Sequence, residues 1–297
     1  NEPIDPARLG VFLCRYAMTL WRAAKYDPIP DLVERAESLF RASGTDHPAM
    51  MLGYITAAIN LHRQAKFAEA VEIYMTGQAL AEKLGDPEDS AMLYSTMGNS
   101  LLEAGDHEGA ELAYRKGYRI GRETGDEASA AVALQNLGHL YFLQKKLPLA
   151  RETVTEAFHA ASKNGRPQSS YIACLTLAEI SNAAGSFPES AEWLQKAYAR
   201  RSAQWPSAAW MLPTLLDLAM GLGEMELAAQ LAGAIDHFNQ STPNQLVGAA
   251  RAKFEAIHAN LREQLDPVEF ELAFERGHRM GEEELEIVLD ELEARTR

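Results

Sequence analysis

The sequence contains little cysteine and comparatively few basic side chains. Its 297 residues include 2 Cys, and 28 Lys and Arg stand against 42 Asp and Glu, which gives a formal net charge of −14. A surface of this sign repels nucleic-acid phosphates and acidic lipid head groups, so direct binding to nucleic acid or to a membrane is not expected. Cys14 and Cys174 lie far apart in apolar segments, which predicts buried free thiols and indicates a reducing, cytoplasmic compartment.

Membrane-spanning and targeting segments are also lacking. No uncharged apolar run reaches the roughly 18–20 residues that a membrane span requires, and the first residues do not combine a basic stretch with an apolar one. The composition, 47% apolar and 24% charged, is typical of a folded soluble protein. Because the chain begins at Asn1 rather than at Met, we expect a processed protein or a fragment excised from a longer one.

The sequence has none of the common catalytic or metal-binding motifs. It lacks G-x-x-x-x-G-K-[ST], H-E-x-x-H, paired C-x-x-C and G-x-S-x-G, and its 8 His residues do not have the spacing of metal ligands. We therefore expect no catalytic residue, no metal and no cofactor. An enzyme would require a pocket with perturbed titratable groups, which only a structure can reveal.

What the sequence does contain is an internal repeat. A shift of 40 residues superposes the four segments 56–77, 96–117, 136–157 and 176–197. Each segment keeps a small residue, a second small residue twelve positions later and a large residue four positions after that. These columns are Ala58, Gly98, Gly138 and Ala178; Ala70, Ala110, Ala150 and Ser190; and Tyr74, Tyr114, Val154 and Leu194. Gly85, Gly125 and Gly165 mark the turns between segments.

Each repeat predicts two amphipathic helices of roughly 17 residues, because apolar positions recur at intervals of three and four with turn residues between the two stretches. Small residues at fixed positions allow two helix backbones to approach closely, so the pair forms an antiparallel hairpin. A single hairpin cannot bury its apolar face, and stacking neighbours completes the core. The expected fold is therefore all-α, a right-handed superhelix of helix hairpins with a concave inner wall.

The repeat pattern resembles the tetratricopeptide repeat. In one segment Met97, Gly98, Ala110 and Tyr114 match that pattern, as do Leu137, Gly138, Tyr141, Ala150 and Ala157 in the next. The period of 40 residues exceeds the family's usual ~34, as in the longer repeats of bacterial regulators, and the family's terminal Pro is missing from its usual place.

The repeat weakens towards both ends of the chain. Residues 9–26 and 31–42 predict an N-terminal helix pair, and 212–234 predict a further unit in which Ala228 lies 38 residues after Ser190. Three more helices are expected, at 246–265, 268–280 and 282–294. We assign 1–242 to the repeat array, with the clearest repeats at about 47–202, and 243–297 to capping helices that cover its end.

The C-terminal quarter carries a second resemblance. Residues 223–238, 250–280 and 282–292 give a small-residue helix, a long helix, an F…AF…GHRM segment and an acidic last helix. This order is similar to the C-terminal arm of bacterial signal-transducing ATPases, including LuxR-type and antibiotic-regulatory activators. The resemblance implies a regulatory arm of a bacterial transcriptional regulator, whose partner is the ATPase module of its parent chain or a small inducer. The alternative is a free-standing adaptor that binds a protein or peptide or associates with itself, and a homodimer is possible in either case.

The inner wall of such an array is formed by the first helix of each pair, and a mixed set of side chains on it gives the candidate ligand-binding residues. They are Ile59, His62, Arg63, Asn99, Gln135, Asn136, His139, Phe142, Glu179 and Asn182. In some tetratricopeptide domains, two asparagines flanked by basic residues grip a partner's C-terminal carboxylate. Asn99 and Asn136 resemble that pair, but Ser95, Ile172 and Thr176 occupy the basic positions, so binding of an acidic C-terminal tail is not expected.

Two further features have a structural interpretation. Six aromatic residues resemble a stacking platform, but their spacing favours packing in the core. They are Trp21, Tyr74, Tyr114, Trp193, Trp205 and Trp210. The acidic stretch 281–294 predicts a capping helix whose apolar stripe consists of Leu285, Ile287 or Val288, Leu289 and Leu292.

Overall fold

The computed structural model describes residues 5–85, 90–201, 207–241 and 248–296. Over these ranges the chain forms fifteen α-helices and no β-strand. The helices are α1 (Pro6–Arg22), α2 (Ile29–Ala42), α3 (Met50–Arg63), α4 (Phe67–Leu84), α5 (Ser90–Glu103), α6 (His107–Thr124), α7 (Glu127–Leu143), α8 (Leu147–Lys163), α9 (Pro167–Ala183), α10 (Phe187–Tyr198), α11 (Ser207–Leu222), α12 (Met225–Ser241), α13 (Gly248–Gln264), α14 (Pro267–His278) and α15 (Glu282–Arg295). The predicted all-α class is confirmed.

The helices belong to two compact units, Asn1–Ala160 and Ala161–Arg297. In the first unit consecutive helices form hairpins, and the first helices of successive hairpins, α1, α3, α5 and α7, contact one another in order. In the second unit α9 pairs with α10 and α11 with α12, and α9 contacts α11. Each unit is thus a stack of helix hairpins. The predicted division into 1–242 and 243–297 stays a prediction, since Pro243 lies outside the described residues.

The repeat columns form the contacts within the hairpins. A Cβ atom added at Gly98 would collide with the ring of Tyr114, and one added at Gly138 would collide with Val154. Tyr114 and Val154 are themselves buried. The small residue therefore makes room for the large residue of the second helix, as the sequence predicts.

The turn between the two helices of a hairpin also repeats a backbone conformation that favours glycine. Ala65, Gly105, Lys145 and Gly185, spaced 40 residues apart, all have positive φ, between 59° and 85°. This left-handed conformation ends the first helix and is strained for residues that carry a Cβ. Gly85, Gly125 and Gly165 adopt the same conformation between hairpins, which confirms them as turns.

The last helix, α15, packs through the apolar stripe that the sequence predicts. The stripe on α15 is buried and consists of Leu285, Val288, Leu289 and Leu292, whereas Ile287 is exposed. Helix α15 contacts α10 and α11. Burial of each aliphatic side chain of the stripe stabilises the folded chain by about 1.5–3 kcal/mol.

Helix α14 approaches α12 closely enough for their backbones to touch. An added Cβ at Gly277 would collide with the Gln230 carbonyl, and one at Gly233 would collide with the Phe274 carbonyl. The F…AF…GHRM pattern therefore has a packing role, with Phe270 buried against the unit.

The aromatic prediction is confirmed in part. Tyr74 and Tyr114 are almost fully buried, and Trp21 and Trp193 are partly buried. Trp210 is 52% exposed, so its assignment to the core is wrong; it lies in the first turn of α11. Trp205 falls outside the described residues.

Further sequence predictions concern α11 and the two thiols. Helix α11 begins at Ser207, before the predicted start at 212, and continues through Pro213. Cys14 and Cys174 are buried and free, as predicted. Among the described helices, none is long and apolar enough to cross a membrane.

Candidate functional site

In the first unit, polar side chains from α5, α6 and α7 form a hydrogen-bonded group. The Tyr114 hydroxyl donates to Asn99 Oδ1 at 2.8 Å, and Asn136 Nδ2 donates to the same oxygen at 3.0 Å. The two asparagines come from neighbouring first helices, so the structure brings together two residues that the sequence predicts on one surface. Their geometry fixes the orientation of the Asn99 amide.

The charge of Glu103 acts on Tyr114 of this group and on two histidines, His62 and His139. His62 Nδ1 lies 3.0 Å from Ser100 Oγ, and the His139 ring lies 6.1 Å from that of Phe142. Burial lowers the pKa of both histidines, and the negative charge of Glu103 opposes the shift in each case. Glu103 was not predicted, although its position four residues after Asn99 places both on one face of α5. We call Asn99, Asn136, His62, His139 and Glu103 the polar row.

Three other predicted residues are placed differently. Arg63 is exposed, and its guanidinium carbon lies 3.8 Å from the centre of the Tyr26 ring, so its charge is engaged in a cation–π contact. Ile59 packs against the buried cluster that contains Tyr74, which gives it a structural role. Gln135 lies partly buried on α7.

The second unit carries a separate polar group, which we call the acidic pocket: Glu179, Asn182, Thr214, Asp217 and Lys253. Asn182 Nδ2 donates to the Thr214 carbonyl at 3.0 Å, and the Thr214 hydroxyl lies 3.5 Å from Glu179 Oε1. Lys253 Nζ forms a 2.5 Å ion pair with Asp217. Glu179 and Asn182 are predicted site residues; the other three are not.

The Glu179 carboxyl is the most perturbed acid of this pocket. Burial raises its pKa from 4.5 to about 7, and the charge of Asp217 adds to the rise, whereas Lys253 and the Thr214 hydroxyl oppose it. A shift in this direction means that the surroundings do not fully compensate the carboxylate charge. The Asn182 Oδ1 atom is also buried and has no hydrogen-bond partner. The pocket thus contains acceptors that the described residues leave unsatisfied.

The described residues contain no group of three or more His, Cys, Asp and Glu side chains placed to hold a metal ion. Both cysteines are buried in apolar surroundings, and burial raises the pKa of each thiol to about 11. A thiol of this kind is a poor nucleophile at neutral pH.

Comparisons with solved structures identify the fold. The apo form of RapI matches with a TM-score of 0.62 at 12% identity, over 95% of this chain and 99% of that chain. A tetratricopeptide repeat protein from Parabacteroides merdae matches with a TM-score of 0.54 at 15% identity, over 97% and 99% of the two chains. This chain has the tetratricopeptide-repeat fold.

A third structure with this fold belongs to a larger protein. It is a signal transduction ATPase with numerous domains from Pyrococcus horikoshii that carries a tetratricopeptide repeat sensor. It matches with a TM-score of 0.56 at 18% identity, over 96% of this chain but 46% of that chain. No protein-family model matches the sequence, and no curated protein matches it.

The tetratricopeptide-repeat fold is suited to contacts between proteins. One such contact is the binding of a partner's C-terminal carboxylate, and the structure shows what occupies the positions that it requires. Ser95 is buried and donates its hydroxyl to the Ala91 carbonyl at 2.8 Å. Thr176 is buried likewise and donates to the Ile172 carbonyl at 3.1 Å. Two of the three positions that would need a basic side chain to grip a carboxylate therefore hold hydroxyls that are bonded to their own helices.

Proposed function

We propose that this chain is a non-enzymatic interaction domain that binds a protein or peptide segment along the polar row of its first unit. The observation that carries the proposal is the pair of hydrogen bonds that converge on Asn99 Oδ1 from Tyr114 and Asn136. They leave Asn99 Nδ2 as a donor and Asn136 Oδ1 as an acceptor without a partner among the described residues. One donor and one acceptor complement the carbonyl and the N–H of an extended peptide.

The surrounding residues favour a polar peptide with few acidic side chains. Glu103 places a negative charge near His62 and His139, and both imidazoles are held neutral by burial near pH 7. Neutral imidazoles offer hydrogen bonds without positive charge, so an acidic segment gains nothing here. The net charge of −14 also disfavours the approach of an acidic peptide.

The experiment that tests this function is selection from a displayed library of random peptides on the purified chain. Wild-type protein should enrich a set of related sequences, and Asn99→Ala and Asn136→Ala should lower their affinity at least about tenfold, because each removes a side-chain amide that would bond to the main chain of the peptide. Gln78→Ala is a matched control, since Gln78 bonds to Glu82 on the second helix α4 of the same unit. Equal binding by all four proteins would contradict the proposal.

The finer role that we propose is that of a regulatory arm. The similarity to the tetratricopeptide repeat sensor of the Pyrococcus ATPase supports it, as do residues 223–292, whose order resembles the arm of bacterial ATP-dependent transcriptional regulators. Such an arm acts on the ATPase module of its own chain, and a peptide, protein or small inducer shifts that equilibrium through its different affinity for the two states. Adding this chain in trans to the ATPase module should change nucleotide turnover or assembly, and no effect on either would contradict this role.

The second candidate is a free-standing adaptor. This chain covers 99% of both RapI and the Parabacteroides protein, which supports an independent domain as well as an arm. The coding sequence upstream of Asn1 separates the two candidates: an open frame for a P-loop module favours the arm, and a start codon at the boundary favours the adaptor, either monomeric or as a homodimer.

A further inference from the structure

The acidic pocket of the second unit contains a charge that its own side chains do not pair. Lys253, the cation of the pocket, forms its ion pair with Asp217. Glu179 has instead one long contact, 3.5 Å from the Thr214 hydroxyl. Buried carboxylates are normally paired with a cation or bound by several donors. Among the described residues, Glu179 therefore has no ion pair and only this one long contact.

A second, independent observation is the orphaned oxygen of Asn182. Its amide nitrogen is engaged with the Thr214 carbonyl, and its Oδ1 is buried without a hydrogen-bond partner. A buried oxygen without a partner requires an explanation, and a ligand that donates to it is one that fits the acidic surroundings of Asn182. Asn182 lies three residues after Glu179, on the same face of α9.

The unsatisfied groups share one chemical character. The Glu179 carboxyl and Asn182 Oδ1 are acceptors, and the Asp217 carboxylate beside them adds a second negative charge. A ligand that completes them must bring several N–H donors and a positive charge, as the guanidinium of Arg and the ammonium of Lys do. The net charge of −14 favours the approach of such a ligand.

We propose that the acidic pocket binds a basic side chain of a partner peptide, with Glu179 as its counter-ion and Asn182 Oδ1 as a second acceptor. The proposal rests on the proposed peptide-binding function and assigns the class of segment bound. The Lys253 side chain is more than half exposed and forms an ion pair with Asp217. Its ammonium competes with the incoming cation for that carboxylate.

The test uses three small probes whose binding to the purified chain is followed by calorimetry or NMR: Nα-acetylarginine amide, Nα-acetyllysine amide and the uncharged Nα-acetylcitrulline amide. We expect saturable binding of the arginine probe, with the citrulline probe weaker by at least about tenfold because it lacks the charge. The lysine probe distinguishes a guanidinium site from a general cation site. Absence of saturable binding by either cationic probe would overturn the proposal.

Variants locate the binding. Glu179→Gln should weaken the arginine probe at least about tenfold, and Lys253→Met should strengthen it, because the competing cation is gone. Thermal unfolding checks that both variants fold. Gln78→Ala, whose side chain bonds to Glu82 on α4 of the first unit, is the matched control and should leave the affinity unchanged. Equal affinity of wild type and Glu179→Gln would contradict the assignment.

The pH dependence gives an additional readout. The groups that face Glu179 are Asp217, Lys253 and Thr214. A cation prefers the ionised carboxyl, so wild-type affinity should rise between about pH 6 and pH 8, and this rise should vanish in Glu179→Gln.

Failure of this proposal is distinguishable from failure of the proposed function. If the peptide library enriches sequences without basic residues and Glu179→Gln binds them normally, the pocket assignment is wrong and peptide binding stands. If the arginine probe binds through Glu179 while the library yields nothing, the pocket is a cation site and the peptide-binding function is wrong.

Discussion

The polar row and the acidic pocket occupy the same position of the repeat and differ in how their polar groups are satisfied. Asn99 and Glu179 lie in one column of the repeat, two repeats apart, together with Ile59 and His139. Asn99 accepts two hydrogen bonds from neighbouring helices, whereas Glu179 has one contact at 3.5 Å. The repeat thus fixes where a side chain stands, and the neighbouring helices determine whether it is satisfied there.

The largest expected effect comes from the residue that supports the polar row. Tyr114→Ala should lower the free energy of unfolding by about 3–5 kcal/mol, because it empties a buried site and removes a donor to Asn99. Leu194→Ala, at the same column of the second unit, should cost about 2–5 kcal/mol through packing alone. Denaturant unfolding measures both.

The affinity for the selected peptides distinguishes Tyr114→Ala from Leu194→Ala. At temperatures where both are folded, Tyr114→Ala should lose affinity for the selected peptides and Leu194→Ala should retain it. A Tyr114→Phe control keeps the ring and removes the hydroxyl, and should cost only about 1 kcal/mol. Equal peptide affinity of Tyr114→Phe and wild type would show that the hydroxyl does not position Asn99.

The second effect concerns the pH dependence of stability in the acidic pocket. The pKa of Glu179 is raised from 4.5 to about 7, so between these values the folded chain binds more protons than the unfolded chain. Stability therefore falls as pH rises through this window, and the whole cost is present above it.

Glu179→Gln removes this cost. Near pH 8 it should be more stable than wild type by about 2–3 kcal/mol, and near pH 4 the two should be similar. Chemical denaturation at both pH values measures the difference. A difference that does not change with pH would mean that Glu179 is paired in solution.

A smaller effect is expected for the side-chain amides of Asn136 and Asn182. Asn136→Ala removes one of the two donors to Asn99 and should cost about 1 kcal/mol. Asn182→Ala removes both a bond to Thr214 and an orphaned oxygen, so its net cost should be near zero. Thermal unfolding of the two variants under one condition tests the contrast, and a larger loss for Asn182→Ala would show that its oxygen is satisfied.

The smallest effect comes from the hairpin turns. Lys145→Gly in the first unit should raise stability by about 1 kcal/mol, because Lys145 holds a φ of 59° that glycine adopts without strain. Gly185→Lys at the equivalent turn of the second unit should lower stability by a similar amount. Changes of the same sign would contradict the strain argument.

Much of the fold could be predicted because its determinants are local. The 40-residue period, the small residues at Gly98 and Gly138 and the stripe on α15 each follow from the spacing of residue types along a helix. The sequence left open whether Ile287 or Val288 belongs to that stripe. The structure shows that Val288 is buried and Ile287 is exposed. Trp210 is exposed although it is aromatic, because the burial of a side chain depends on which helices pack against it and not on residue type alone.

The candidate sites were predictable only in part. Helical spacing placed Asn99, Asn136 and Glu179 on first helices. The repeat also contained a signal for Asp217, since the 38-residue shift that aligns Ala228 with Ser190 aligns Asp217 with Glu179. No repeat relation leads to Lys253, which stands on a helix outside the repeats.

The sequence by itself determined the repeat, the class of fold and the helix positions that carry polar side chains, because these depend on residues three, four or forty apart in one chain. The tertiary structure alone decided which side chains meet: Arg63 with Tyr26, Asn136 with Asn99, and Lys253 with Asp217 rather than with Glu179. The physical reason is that hydrogen bonds and ion pairs act over a few ångströms, and helix packing sets those distances.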